Sequence, residues 1–181
     1  MTERQLDPLR LDLRRFAQLG DTLRGELSQA ELPRLSDSVL PLPGDAPQVQ
    51  WSAAGESRAV KGAEPQVWLH LQASTSVQLV CQRCLQAMVE NVGVDRSFLF
   101  VATAEEAERL DEASEDDVLV LPRLFDVLEL LEDELILALP IVPRHLECPN
   151  PLPVLPPEPE EEPVQNPFAA LAALRKLPRV D

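Results

Sequence analysis

The chain has 181 residues, a formal net charge of −15 at pH 7, 45% apolar residues and no tyrosine. This length allows one domain of moderate size with tails, and no run approaches the ~18 apolar residues of a membrane-spanning helix. The acidic balance weighs against non-specific binding to nucleic acid, because phosphate affinity comes largely from Lys and Arg, and it suits a basic partner.

The N-terminal region predicts two short helices. Asp7-Pro8 has the pattern of a helix start with proline in an early position. Further along, Ser28-x-x-Glu31 has the spacing of a capping box that opens another short helix. Three arginines lie beside the apolar face of the first helix, and their simplest interpretation is a solvated surface: Arg10, Arg14 and Arg15.

Residues 36–101 alternate between apolar and polar positions in the manner of β-strands. The strand-like runs are 49–53, 67–71, 77–80, 89–92 and 97–101. Gly, Asn, Asp and Pro separate these runs, which predicts an antiparallel meander. His70 lies inside one run, and we interpret it as a partly buried sheet residue rather than a ligand.

An acidic stretch, 102–122, follows the strands. Few arginines balance its acids, which predicts a solvated and mobile connection. The apolar run 118–121 at its end could add an edge strand to the sheet.

Residues 123–139 contain the clearest helix in the sequence. Most of its acids fall on one side, and Pro140 and Pro143 prevent it from continuing. We therefore expect an α+β fold in which an antiparallel sheet is packed by one long amphipathic helix. Its apolar positions recur at steps of three and four: Leu124, Leu128, Leu131, Leu135 and Leu139.

The C-terminal region has a different composition. Residues 149–165 hold seven prolines and four glutamates, which is typical of an extended spacer. Asn166-Pro167 then suits the start of a short helix, whose apolar face would bind a partner or this chain's own domain. That face consists of Phe168, Leu171 and Leu174. The predicted division is a core of 1–148, a linker of 149–165 and a docking helix of 166–181.

The cysteines suggest a metal site. Cys81 and Cys84 form a C-x2-C motif between two strand-like runs, at the tip of an expected hairpin. Two thiolates at this spacing can bind one tetrahedral ion, usually zinc, and His145 and Cys148 offer two further ligands. A redox dithiol and a pair of small structural residues are the alternatives. Because three cysteines are an odd number and the charged N-terminus lacks a signal-peptide core, we expect a cytoplasmic protein.

Convergence of the two half-sites would also bring two arginines together. Arg83 lies between the cysteines of the hairpin, and Arg144 immediately precedes His145. They would form a small basic face for RNA phosphates, and the N-terminal arginines would enlarge it if their helix packs nearby. The alternative is ordinary surface ion pairing, which stabilises little.

The sequence offers no arrangement that predicts catalysis. It has two His and neither a Gly-rich phosphate loop nor a nucleophile elbow. The acids are plentiful, but nothing places two of them in a cleft. We therefore do not expect an enzyme.

Three segments together resemble a known family. They are the C-x2-C run 80–85, the helix with its following proline segment 126–145, and the motif 166–171. In this order and spacing the chain is similar to the bacterial YceD family, the large ribosomal RNA subunit accumulation proteins. The resemblance implies a non-enzymatic role in synthesis, processing or stability of 23S ribosomal RNA.

The same resemblance implies a large-subunit precursor as partner, through 23S rRNA, a basic ribosomal protein or an assembly factor. Neither DNA nor a membrane is expected as a partner. Some members of the family carry a fuller cysteine set after the helix, where this chain has His145 and Cys148. The alternatives are a zinc-dependent protein adaptor unrelated to ribosomes and an RNA-processing enzyme.

Overall fold

The computed structural model describes residues 6–44, 46–114 and 116–150, and it is built on a five-stranded sheet. The strands pair in chain order, the first four antiparallel and the last parallel to its neighbour. The α+β prediction is confirmed, but the sheet is mixed rather than purely antiparallel. The strands are β1 (Thr22–Ser28), β2 (Gln48–Arg58), β3 (Gln66–Val80), β4 (Ala87–Val101) and β5 (Asp117–Val120).

The helices of the described residues are short. They are α1 (Leu13–Leu19), α2 (Pro33–Ser38), α3 (Ala104–Asp111) and α4 (Val127–Leu137). The expected long amphipathic helix corresponds to α4, which has only 11 residues. It begins late because the Asp126 side chain accepts hydrogen bonds from Leu128 N and Glu129 N, so Asp126 is the N-cap.

The buried side of α4 also differs from the predicted leucine stripe. Leu131 and Leu135 are fully buried as expected, but Val127 joins them and Leu124 is 44% exposed. Glu132 and Glu134, expected on the solvent side, are buried as well. The helix therefore presents a mixed face to the core, with two carboxylates that need partners.

The N-terminal helix starts later than Asp7-Pro8 predicts. Those residues form a turn, and Asp12 is the N-cap of α1, accepting from Arg15 N. The helix ends at Gly20, whose positive φ of 64° is easily adopted without a side chain. The predicted capping box is confirmed, although Ser28 and Glu31 close a single 3-10 turn rather than an α-helix.

The acidic stretch 102–122 is more ordered than a solvated connection. Thr103 caps α3, which crosses from β4 to β5 and makes their parallel pairing possible. Ala107 and Leu110 of this helix pack on a small second cluster that includes Trp68 and Leu99. The edge strand expected at 118–121 is present as β5.

Strands β3 and β4 form the longest hairpin of the described residues, with 15 residues each. They join the predicted pairs of runs into continuous strands and remain paired up to Val80 and Ala87. Near this end β2 has already stopped, and Leu40 donates its backbone N–H to Gln78 instead. The hairpin tip therefore extends beyond the main sheet as a two-stranded ribbon.

The described residues up to Pro149 form one compact unit. Residues 151–181 lie outside the described part of the chain. The predictions of a linker over 149–165 and a docking helix over 166–181, with Phe168, Leu171 and Leu174, therefore stay predictions. Within the described ranges, every helix is too short or too polar to cross a membrane.

Candidate metal centre

The first half of the candidate site is the tip of the β3–β4 hairpin. Cys81 N donates to Gln86 O at 2.9 Å, and Leu85 N donates to Cys81 O at 2.9 Å, which closes a tight turn. Leu85 has a positive φ of 59°, unusual for a residue with a branched side chain. The turn buries Cys81 and Cys84, which are 0% and 3% exposed.

The second half is the segment after α4. Pro140 and Pro143 prevent further helix, and the chain runs on without regular structure. Pro143 O accepts a hydrogen bond from Gln82 N at 2.9 Å. This contact places the following residues against the hairpin tip, where His145 N donates to Cys81 Sγ at 3.4 Å.

The two halves converge on one point. The ligand atoms of Cys81, Cys84, His145 and Cys148, here called the knuckle cluster, all lie within 4.8 Å of one another. Cys81 Sγ is 3.9 Å from Cys148 Sγ, and Cys84 Sγ is 3.4 Å from His145 Nδ1. A tetrahedral zinc ion with Zn–S bonds of ~2.3 Å requires sulfur atoms about 3.8 Å apart. The donor types and their spacing therefore fit a metal ion such as zinc.

The electrostatics of the cluster also suit a cation. Burial raises the pKa of the Cys81 thiol, but N–H groups of His145, Arg83 and Cys84 outweigh burial and lower this pKa to about 5. Burial raises the pKa of Cys84, and the adjacent Cys148 sulfur adds to that effect. One thiolate is thus favoured by the protein alone, whereas further thiolates beside it need a compensating positive charge.

Arg83 is engaged with the second half-site. Its Nε donates to Cys148 Sγ at 2.9 Å, and one terminal nitrogen donates to His145 O at 3.1 Å and Leu146 O at 3.4 Å. These contacts join residues more than 60 positions apart in the chain. The spacing of the C-x2-C motif therefore could not predict them. Arg144 lies at the same end of the domain and is exposed.

The N-terminal arginines do not extend this basic face. Arg14 pairs with Glu64, which lies before β3, whereas the knuckle cluster lies after it. A strand of 15 residues spans on the order of 45 Å at about 3.3 Å per residue. Arg10 and Arg15 belong to the same end as Arg14, so the structure keeps all three away from Arg83 and Arg144.

The surface around the cluster carries exposed aliphatic side chains that sequence reasoning did not single out. Ile141 is 98% exposed and Leu146 is 100% exposed, on either side of Arg144 and His145. Leu85, at the hairpin tip, is 63% exposed. Proximity in sequence to the predicted ligands was the one signal available for them.

These features define an α+β domain with a mixed sheet and a cluster of three cysteines and one histidine at its longest hairpin. The family described as "Large ribosomal RNA subunit accumulation protein YceD" matches residues 69–175. The chain is also 31% identical over 176 residues to the protein of that name from Haemophilus influenzae, covering 93% of this chain and 96% of that relative. The chain therefore belongs to the YceD family, which confirms the resemblance drawn from three segments. No solved structure matches the chain.

Proposed function

We propose that this protein is a non-enzymatic factor that supports accumulation of the large ribosomal RNA, through synthesis, processing or stability of 23S rRNA. The observation that carries the proposal is the similarity to the Haemophilus influenzae relative along 93% of the chain. That relative's name states a role in accumulation of large-subunit ribosomal RNA. The work would take place in the cytoplasm, on precursors of the large subunit.

A binding role suits the surface better than a catalytic one. Ser97, His70 and Glu56 lie in a row that has the composition of a hydrolytic triad, with His70 at 2.8 Å from Ser97 Oγ and 2.7 Å from Glu56 Oε2. However, both oxygens of Glu56 also accept from Arg58, and that guanidinium stacks on Trp68 at 4.1 Å. His70 lies on a central strand, where neighbouring strands use the backbone donors that an oxyanion would need. We interpret this row as a structural network on the sheet.

We also propose that the knuckle cluster holds a zinc ion. The support is the donor set, the separations of 3.9 and 3.4 Å within it, and the lowered pKa of Cys81. Bound zinc would supply positive charge and a cross-link. Cys81 and Cys84 would contribute from the hairpin, and His145 and Cys148 would tie the segment after α4 to it.

The nature of the direct partner follows from charge. With −15 over the whole chain, broad contact with RNA is disfavoured, and a basic protein of the precursor is the simpler partner. Arg144 is exposed and remains the candidate for local phosphate contact. We propose that the predicted C-terminal helix binds this partner through Phe168, Leu171 and Leu174.

The experiment is depletion of the protein in its own cells, followed by measurement of 23S relative to 16S rRNA and by sedimentation of the lysate. We expect mature 23S rRNA to fall selectively and the protein to sediment with large-subunit precursors. Re-expression of the intact chain should restore the ratio. An unchanged 23S to 16S ratio, with the protein remaining at the top of the gradient, would contradict the proposed function.

A further inference from the structure

We infer that Arg83 is a positioning residue of the metal centre, which holds Cys148 and the backbone of 145–146 in ligand geometry. The inference rests on the proposal that the knuckle cluster binds zinc. Its basis is the set of three contacts from one guanidinium: Nε to Cys148 Sγ at 2.9 Å, and a terminal nitrogen to His145 O at 3.1 Å and Leu146 O at 3.4 Å.

The segment that Arg83 holds has few other attachments. Within the described ranges, each hydrogen bond that joins residues 144–148 to another segment involves a cysteine of the hairpin or Arg83. Leu146 is fully exposed and supplies no packing. Together with the hydrogen bond from Gln82 N to Pro143 O just before this segment, the ligands and this arginine therefore decide where the second half-site lies.

Among the three cysteines, Cys148 is the one that most needs such support. Cys81 and Cys84 are buried, whereas Cys148 is partly open to water. Three thiolates and a neutral imidazole around Zn²⁺ leave about one net negative charge. A guanidinium in contact with the most accessible sulfur offsets that charge and donates a charge-assisted hydrogen bond to it.

The planar shape of arginine matters here as well as its charge. Two nitrogens at fixed separation reach a sulfur and two carbonyl oxygens at once, which a single lysine ammonium on a flexible stem cannot reproduce. Because those two nitrogens already donate hydrogen bonds within the protein, they are not available to contact RNA phosphates. The geometry thus gives Arg83 and Arg144 different roles, although both lie at the same end of the domain.

The test uses the purified full chain and measures zinc affinity by competition with a chromophoric chelator. The variants are Arg83→Gln, Arg83→Lys and, as a matched control at the same end, Arg144→Gln. We expect Arg83→Gln to weaken zinc binding by 10–100-fold, the usual range for loss of an outer-shell partner. Arg83→Lys should fall between Arg83→Gln and the parent, and Arg144→Gln should match the parent.

Cobalt substitution supplies a second readout that a general loss of stability would not move. The thiolate-to-cobalt charge-transfer intensity reports how many sulfurs bind, so Arg83→Gln should lose intensity as Cys148 loosens, at saturating Co²⁺. If Arg83→Gln keeps the zinc affinity and the cobalt spectrum of the parent, the positioning role of Arg83 is overturned and the zinc proposal is not. A parent chain that binds neither ion would overturn the zinc proposal and this inference together, and neither result bears on 23S rRNA.

Discussion

Arg34 and Glu132 are joined by two hydrogen bonds, although 98 residues separate them in the chain. One Glu132 oxygen accepts from Arg34 N at 2.7 Å and from Leu35 N at 3.1 Å, and the other accepts from Arg34 Nε at 2.9 Å. The N-cap of α2 is Leu32, which has no side chain able to cap, and Pro33 follows it. A buried carboxylate of α4 therefore satisfies the free N–H groups at the start of α2.

Replacement of that carboxylate should destabilise the domain. Glu132→Gln keeps the shape but leaves one acceptor oxygen for three donors. Loss of a buried charged acceptor costs roughly 2 kcal/mol in the free energy of unfolding. Urea denaturation would measure it, with Glu129→Gln as the control because Glu129 is exposed on the same helix. Equal stability of the two variants would mean that Glu132 does not cap α2.

Glu134 lies two residues further along α4, and replacement of its carboxylate should not destabilise the domain. Burial raises the pKa of this carboxyl, and its nearest cation, Arg96, is 4.0 Å away. A raised folded pKa means that stability is fully present below the unfolded value of 4.5 and declines as pH rises through the folded pKa. Glu134→Gln should therefore be neutral or stabilising at pH 7. Thermal melts at pH 7 and pH 4.5 test this, and a variant less stable than the parent at pH 7 would contradict it.

Local signals in the sequence predicted the knuckle cluster and most of the strands. Ligand types at metal-binding spacing and alternation of apolar residues depend on neighbours in the chain, so they can be read without coordinates. The position of Cys81 and Cys84 at a hairpin follows from such signals, whereas their convergence with His145 and Cys148 was only a hypothesis from ligand types and depends on the fold. The buried face of α4 does not follow from such signals, because Glu132 is buried only by virtue of α2.

The features that sequence reasoning missed depend on contacts between distant segments. The many acids of 102–122 gave no prediction of α3, which has no fully buried residue and packs through the partly buried Ala107 and Leu110. Arg83 has the same appearance in sequence as Arg144, and only the fold shows that Arg83 contacts Cys148 and residues 145–146, whereas Arg144 is exposed. Leucine periodicity extended α4 back to Leu124, whereas the Asp126 cap begins the helix later.

Gly55 should be intolerant of any side chain. A Cβ at this position would lie 2.6 Å from Phe16 Cδ1 and 2.9 Å from Ala17 Cα, so α1 would have to move away from β2. Gly55→Ala should cost about 1–3 kcal/mol, the usual range for overpacking. Gly93→Ala is the control, since its nearest atom would be 3.8 Å away. Chemical denaturation compares them, and equal stability would show that α1 is less closely packed.

The Glu56 network should stabilise the fold at neutral pH and lose that stabilisation in acid. Hydrogen bonds from Arg58, and then from His70, lower the pKa of Glu56 to about 2. A lowered folded pKa means that this stabilisation is fully present above the unfolded value of 4.5 and is lost as pH falls towards about 2. Glu56→Gln should therefore have a lower melting temperature than the parent at neutral pH, and the two melting temperatures should converge in acid. Melting temperatures across pH 2–6 would show this, and a difference that does not change with pH would contradict it.

Metal removal should loosen the knuckle while the sheet survives. The main core, with Val49, Leu69 and Leu71 fully buried, lies in the body of the sheet, whereas residues 144–148 are attached through the knuckle cluster and Arg83. A strong chelator should therefore lower the melting temperature and expose three reactive thiols, with little change in far-UV circular dichroism. Because the ligands must lose their protons to bind metal, acidification should have the same effect as the chelator.

Cys81→Ser, which removes a fully buried ligand, should melt near the chelated parent and respond no further to chelator. If chelation changes neither the melting temperature nor the thiol reactivity of a parent shown to contain zinc, the ion does not hold the two half-sites together.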